Sequence, residues 1–264
     1  MREKMQMKNM FKYYLSNKRR GISLIFVMAL TVFSIYFVTS LVQSIFSTVE
    51  YSNIACLNDF SFVYPVGGSS FLSDETVEKI QKDDSVKKAY PILLEYTVIN
   101  NIFGTTSGYV AFMDEADIGE IFDDYSLTVT EGRLPQENSY ELIMHEDMLK
   151  NKGLSVGDTF GSAVDDGEPI EGTYTITGAF SGNSYMAFGT KSYKQKELEE
   201  LGLDFKNTTF GLLVTPKTDL DAMNTMLDTM SHDEAAAMTL SYAQKTLKDN
   251  VSSIKFLMGV IVIV

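Results

Sequence analysis

From Gly21 to Val49 the chain carries no charged side chain, a run of 29 residues. About 20 apolar residues suffice to cross a bilayer, so this run can span one and leave a stub outside. Isoleucine, leucine, valine, phenylalanine and methionine dominate up to Val42, after which Gln43, Ser44, Ser47, Thr48 and Glu50 bring polarity back. The pattern predicts a crossing over Ile22–Leu41 that continues as a helical stalk. A cleaved signal peptide is the competing reading. Its apolar core is about 7–15 residues long, and a small-residue cleavage site follows it. The run here is far longer, and the segment Ser47–Asn53 offers no A-x-A pattern. A signal anchor is the better account.

Charge gives the anchor a direction. The first 20 residues hold seven basic side chains and one acid, Glu3, for a net +6. The whole chain carries −13, so the remaining 244 residues carry −19. Basic residues beside a membrane span stay in the cytoplasm, so Lys18, Arg19 and Arg20 place the N-terminus inside and everything after Glu50 outside. An acidic body repels phosphate, which disfavours nucleic acid as a partner. Within the basic segment, Met7, Met10, Phe11 and Tyr14 follow helical spacing opposite Lys4, Lys8 and Lys12. That is the pattern of a helix lying in the inner membrane interface; the competing reading is a frayed basic tail that only sets orientation.

Cys56 is the sole cysteine, so there is no internal disulfide framework and no multi-cysteine zinc site. Asn53, Ile54 and Ala55 before it do not form a lipidation motif. A buried or stalk-lining thiol is expected.

Beyond the stalk, strand and helix signals alternate. Strands are predicted at Asp59–Tyr64, through Val86–Asn100, at Ser107–Met113, Tyr140–Met144, Thr159–Phe160, Thr173–Phe180 and Thr209–Thr215. The segments on either side of Asn101–Thr106 form a hairpin. Helices are predicted from Ser73, as N-cap, to Lys82, and at Glu146–Lys152, Tyr193–Leu201 and Asp219–Met230. Asp114–Tyr125 reads as a short acidic helix or loop. A further helical pattern builds from Ser231 through Ala235–Lys248 and runs into the apolar Phe256–Val264, which reads as the start of a second membrane helix. Mixed elements with short connections predict an α+β fold. The expected organisation is a cytoplasmic amphipathic basic segment (1–20), a transmembrane helix with stalk (21–49), an extracytoplasmic domain (50–230), and a descending helix leading to a second span (231–264).

Chemistry is mostly absent. The nearest approach to a P-loop, GNSYMAFGTKS from Gly182 to Ser192, has six residues between its glycines instead of four, and Thr190 separates Gly189 from Lys191. That spacing does not wrap a phosphate. His145 and His232 are far apart and lack metal-ligand spacing; His145 is expected near a helix start. The carboxylates Asp114, Glu115 and Asp117, and Asp165, Asp166 and Glu168, lack the alternation of a calcium loop and are expected on solvated faces. No GxSxG elbow is present. No catalytic, cofactor-binding or metal-binding residue is assigned, and the chain is expected not to be an enzyme.

One stretch is specific. Gly132-Arg133-Leu134-Pro135 forms a tight turn into the strand begun by Glu141-Leu142-Ile143. A short helix follows, then the turn Leu154-Ser155-Val156-Gly157-Asp158, with Leu154 and Val156 buried. A returning strand contains Ile176-Thr177-Gly178, with Tyr174, Ile176, Gly178 and Phe180 on one face. Leu142, Val156, Tyr174, Ile176 and Phe180 are expected in one core cluster. This ordered set resembles the extracytoplasmic core domain of the MacB/FtsX-like family of ABC transporter permeases. His145 departs from that pattern, standing where a small polar residue is common, and Ala179 follows the last glycine. The resemblance implies a permease subunit, a cytoplasmic ABC ATPase partner that hydrolyses the ATP, a second permease copy or a homologue completing a dimer, and transmission of motion across the lipid bilayer to the outer domain. It implies no cofactor. A membrane-anchored sensor with an extracytoplasmic ligand-binding domain would show the same topology.

The topology is directly testable. With Cys56 replaced by serine, a cysteine placed at Asp166 should react with a membrane-impermeant thiol reagent in intact cells, and one at Asn17 should not. The opposite labelling pattern would invert the assigned orientation.

Overall fold

The computed structural model describes residues 18–101, 104–200, 202, 208–230 and 234–249. The basic segment Met7–Leu15 and the apolar end Phe256–Val264 lie outside the described residues. The described chain falls into two compact units that divide between Ser47 and Thr48.

The described part of the first unit, residues 18–47, is helical, and its helix runs on into the second unit. Helix α1 runs over Lys18–Asn53, 36 residues, which at about 1.5 Å per residue is about 54 Å. Its part from Lys18 to Thr48 is long and apolar enough to cross a membrane. Among the described residues little covers the helix's apolar surface: Ile22, Phe26 and Tyr36 are 67%, 67% and 71% exposed. That surface needs a nonaqueous surrounding, since large exposed apolar patches in water are strongly unfavourable.

The second unit is an α+β domain built on two sheets. Its strands in chain order are β1 (Ser61–Pro65), β2 (Val86–Pro91), β3 (Leu93–Asn101), β4 (Gly104–Met113), β5 (Thr128–Gly132), β6 (Glu141–His145), β7 (Thr159–Phe160), β8 (Tyr174–Ser181), β9 (Met186–Thr190), β10 (Leu212–Pro216) and β11 (Ala235–Met238). The smaller sheet has the order β11-β1-β10-β2 and is antiparallel throughout. The larger has the order β3-β4-β9-β6-β8-β5, with β7 paired to β8. Within it β4–β9 and β6–β8 are parallel and the other pairs antiparallel. The helices after α1 are α2 (Asp74–Gln81), α3 (Glu115–Asp124), α4 (Glu146–Lys152), α5 (Ser192–Glu200) and α6 (Leu220–Asp228), followed by α7 over 240–249.

Three apolar layers hold these parts. Strand alternation sorts the side chains, because successive residues point to opposite faces. On β4, Tyr109, Ala111 and Met113 join a cluster with Phe62, Tyr90 and Leu213 of the smaller sheet and Ile118, Ile121 and Phe122 of α3. Val110 and Phe112 point the other way, into a cluster with Leu142, Met144, Met148 and Phe160. The outer face of the smaller sheet buries Val63, Leu212 and Val214 against Ile80 of α2 and Met223 and Leu227 of α6. Strands β4, β6 and β9 are therefore covered on both faces.

Local signals placed most elements. Ser73 accepts a hydrogen bond from the Thr76 amide as N-cap of α2. Helix α4 has Glu146 and Asp147 in its first turn, Lys150 and Lys152 in its last, and Gly153 closing it in the left-handed conformation. The expected hairpin is the β3–β4 pair, and the acidic segment after Asp114 is the helix α3. Cys56 is buried, which pushes its thiol up to about 12.

Three expectations need correction, and one strand had no sequence signal. The segment after 234 begins with strand, since Ala235–Met238 pairs with Phe62–Pro65; helix begins only at 240. The alanines Ala235, Ala236 and Ala237 favour helix locally, but an open strand edge beside β1 overrides them. Strand β9 lies inside the supposed near-P-loop, with every residue from Met186 to Thr190 buried. Val156 and Leu154 are only half-buried against the core. The returning strand β8 does not keep one face: Tyr174 and Ile176 lie in one cluster and Phe180 in the other. The cause is a bulge, since Leu142 pairs with Ile176 but Ile143 with Gly178, leaving Thr177 unmatched. One extra residue reverses the alternation beyond it.

Phe180 is fully buried, with ring centroids 5.0 Å from Phe122, 5.8 Å from Phe188 and 5.4 Å from His145. Phe180→Ala should therefore cost about 3–5 kcal/mol in a denaturation series on a soluble fragment spanning 48–252. A loss below about 1 kcal/mol would contradict this packing.

Candidate functional site

The ordered motif closes into one knot around the middle of β8. Gly132 ends β5 with φ +71°, and a Cβ there would meet the Thr177 carbonyl oxygen at 2.1 Å. A Cβ on Gly178 would meet the Arg133 carbonyl oxygen at 2.4 Å. Only glycines allow the two backbones this approach. The Arg133 amide donates to the Thr177 carbonyl at 3.0 Å. The Arg133 guanidinium holds Glu141 in a two-pronged pair, Nη1 to Oε2 at 2.7 Å and Nη2 to Oε1 at 2.6 Å. The Gln136 amide donates to the same carboxylate at 3.0 Å, and the arginine first and that amide further hold Glu141 below its usual carboxylate range. On the other side the Gly157 amide donates to the Ile176 carbonyl at 2.8 Å, and the Ile176 amide to the Asp158 carbonyl at 2.9 Å. Every piece of the motif thus meets β6 or β8.

The opposite ends of β6 and β8 meet the last turn of α1. His145 pairs with Phe180 across these strands and is the N-cap of α4, with Nδ1 accepting from the Asp147 amide at 3.2 Å. Its Nε2 lies 3.1 Å from the Gly182 carbonyl oxygen. The amide fixes Nδ1 as the acceptor, so Nε2 carries the proton and donates. The ring is neutral, and burial lowers its pKa below the ordinary 6.5. Tyr51, within α1, donates its hydroxyl to Asp147 Oδ2 at 2.9 Å. Its ring lies 6.3 Å from His145 and 5.2 Å from Tyr185, measured between centroids. Burial and then the Asp147 bond push the Tyr51 phenol up. Lys150 first, and then Tyr51, hold Asp147 below its usual range against the opposing desolvation. The last turn of α1 is thus fastened to the helix start that β6 feeds.

The remaining sequence candidates fall elsewhere. Asp114 pairs with Lys191 at 2.8 Å and Asp117 with Lys88 at 2.9 Å, and Glu115 accepts from the Glu137 amide at 2.7 Å. Asp165 and Asp166 are exposed, but Glu168 is buried and paired with Lys152. These carboxylates were expected on solvated faces; Asp114, Glu115, Asp165 and Asp166 keep substantial exposure, and burial of Glu168 corrects the expectation there. Among the described residues no three histidine, cysteine, aspartate or glutamate side chains are grouped to hold a metal ion. His232 lies outside the described residues. The Tyr51 contact had no sequence signal, because it joins residues 96 apart.

No family model matches the chain, and no curated protein matches it. Solved structures do. The periplasmic region of MacB from Actinobacillus actinomycetemcomitans is 13% identical, with 74% of this chain and 96% of that one covered and a TM-score of 0.41. The extracellular domain of the ABC-type transporter YknZ from Gram-positive bacteria is 11% identical, with 69% and 99% covered and a TM-score of 0.38. The chain is thus similar, at low identity, to the extracytoplasmic regions of these two proteins.

The junction carries a pH dependence. The His145 pKa is lower folded than unfolded, so the folded chain binds fewer protons in that window. Stability is full above about pH 6.5 and is lost as pH falls through the lower folded value. Asp147 keeps its charge until further acidification, because its own pKa is depressed. His145→Asn retains a capping acceptor and removes the titration, so its stability should change less between pH 7 and 5 than that of the parent. Tyr51→Phe should cost about 1 kcal/mol without moving the pH profile. Equal profiles for the parent and His145→Asn would contradict a buried neutral imidazole.

Proposed function

We propose that the chain belongs to a permease subunit of an ABC transporter of the MacB/FtsX-like type, in which it transmits motion and does not generate it. The carrying observation is the closed knot of Gly132, Arg133, Glu141, Gly157-Asp158 and Ile176-Thr177-Gly178. Residues that the family resemblance singles out in sequence order are joined by backbone bonds and one bidentate ion pair. In this reading α1 crosses the membrane with its N-terminus in the cytoplasm, and the domain beyond Glu50 lies outside. A separate cytoplasmic ABC ATPase supplies the energy, and a second permease copy completes the unit. Movement of α1 reaches Tyr51, passes to Asp147 and His145, and is carried by β6 and β8 to the knot. Aromatic packing and a buried cap suit that role, since packed cores deform little and pass strain on.

Purification of the protein from its native membrane should bring down a cytoplasmic ABC ATPase, and the complex should hydrolyse ATP. Hydrogen exchange across 145–152 should change when ATP is added, and Tyr51→Ala should diminish that change. If ATP leaves 145–152 untouched while hydrolysis proceeds, the proposed route is wrong. If the reading frame leads into a cytoplasmic signalling domain, the sensor replaces the permease.

A further inference from the structure

Residues 235–238 show the sharpest conflict between local sequence and observed structure. The segment Ser231-His232-Asp233-Glu234 has the S-x-x-E spacing of a capping box, which opens a helix. Ala235, Ala236, Ala237 and Met238 follow it, all strong helix formers. No proline or glycine occurs between Ser231 and Asp249. The sequence thus encodes a helix that starts at Ser231. In the structure Glu234 lies in a turn, and its carboxylate accepts from Ser73 Oγ at 3.3 Å. Ala235–Met238 is the strand β11, and helix begins only at 240. Sites where a local rule is broken this plainly tend to be functional or strained.

Little holds the strand. It is four residues long at the edge of the smaller sheet, and among the described strands it pairs only with β1. Its partner at one end is Pro65, which has no N–H to give to the ladder. Of the four residues only Ala235 is buried, and alanine side chains bring little apolar area to the core. Met238 accepts from the Tyr109 hydroxyl at 3.0 Å, a weak bond because thioether sulfur is a weak acceptor.

The boundary is set by Asp228. It is the last residue of α6, whose last turn has no basic side chain; a carboxylate there opposes the helix dipole. Both its oxygens serve the next helix instead. Oδ1 accepts from the buried Thr239 hydroxyl at 2.9 Å, and Oδ2 from the Ser241 hydroxyl at 2.7 Å. Thr239 Oγ1 accepts the Tyr242 amide at 3.2 Å, which makes Thr239 the N-cap of α7. Negative charge is favoured at a helix start, so Asp228 pins that start at Thr239. A helix continued back through Met238 would take Thr239 out of the cap.

We infer that Ala235–Met238 is a strand-to-helix switch and that the Asp228 clasp holds it in the strand state. Four residues extend about 13 Å as strand, at about 3.3 Å each, and about 6 Å as helix, at about 1.5 Å each. Conversion shortens the link into α7 by about 7 Å and opens the edge of β1. Tension on α7 favours the extended strand and slack favours the helix. This holds whether or not the chain is a permease subunit.

The test uses the full chain in lipid nanodiscs with isotope-labelled alanine, whose Cα and Cβ chemical shifts separate strand, helix and coil. In the parent, Ala235, Ala236 and Ala237 should give strand shifts. In Asp228→Ala at least half of that signal should move to helical shifts. Adding Ala236→Val and Ala237→Val, which favour strand over helix, should return Ala235 to strand. Strand shifts unchanged in Asp228→Ala, or movement to coil values, would overturn the switch. If Asp228→Ala does not fold, Ser241→Ala decides, since it removes one of the two clasp bonds at an exposed position. A smaller but measurable helical share is expected there, and its absence would overturn the switch.

Discussion

Thr177 is one residue more than β6 can match, and the domain depends on that bulge. Before it, Tyr174 and Ile176 bury beside Leu142 and Phe112 on one face of the larger sheet. After it, Phe180 buries with Phe122 and Phe188 on the other. A strand of eight residues thereby serves both cores. The bulge is also where the far edge of β8 changes partner. β7 pairs with Tyr174 and Thr175, and β5 with Gly178 through Ser181. The Thr177 carbonyl between them accepts the Arg133 amide. Bulges bend a strand and increase its twist, and here the bend brings Gly132 and Gly178 into backbone contact.

The balance of forces separates the strong contacts of the domain from the weak ones. Some ion pairs of the domain are exposed on both sides, such as Lys82–Glu78 and Lys150–Asp147, and such pairs contribute about 0–1 kcal/mol each. The aromatic groups around Phe180 and Tyr174 bury far more apolar area, at about 25 cal/mol per Å². Tyr51 combines one weak polar bond to Asp147 with ring packing against His145 and Tyr185. Those two rings pack on each other, and His145 packs on Phe180. The aromatic contacts from Tyr51 to Phe180 are continuous, and their strength lies in shape more than in charge.

Where the sequence carried local chemistry, it was readable. The Ser73 cap, the charge order and Gly153 of α4, and the hairpin on either side of Asn101–Thr106 all follow from side chains within a few positions. The turn glycines of the knot were legible for the same reason. What escaped depended on partners distant in sequence. β9 reads as a short apolar run beside glycine, and only burial on both faces makes it a strand. The alanines at 235–237 form strand because β1 offers an edge. The bulge at Thr177 leaves no mark on composition, yet it moved Phe180 to the other core. Glu168 sat in an acidic cluster that reads as solvated; Lys152, 16 residues away, draws it inside.

His145 shows how a single departure from a motif can be read physically. In the MacB/FtsX-like pattern this chain resembles, a small polar residue is common at the position. A serine there could cap α4 through its hydroxyl, since the task needs one acceptor near the Asp147 amide. It could not also reach the Gly182 carbonyl, because that needs a second polar atom on a rigid ring. Nor could it present faces to Tyr51, Tyr185 and Phe180. Histidine satisfies the cap, the strand end and the aromatic cluster together, at the cost of burying an imidazole that must stay neutral. His145 therefore does more than cap a helix start. It ties the start of α4 to the end of β8 and to the last turn of α1, so that none of the three can shift without disturbing the others.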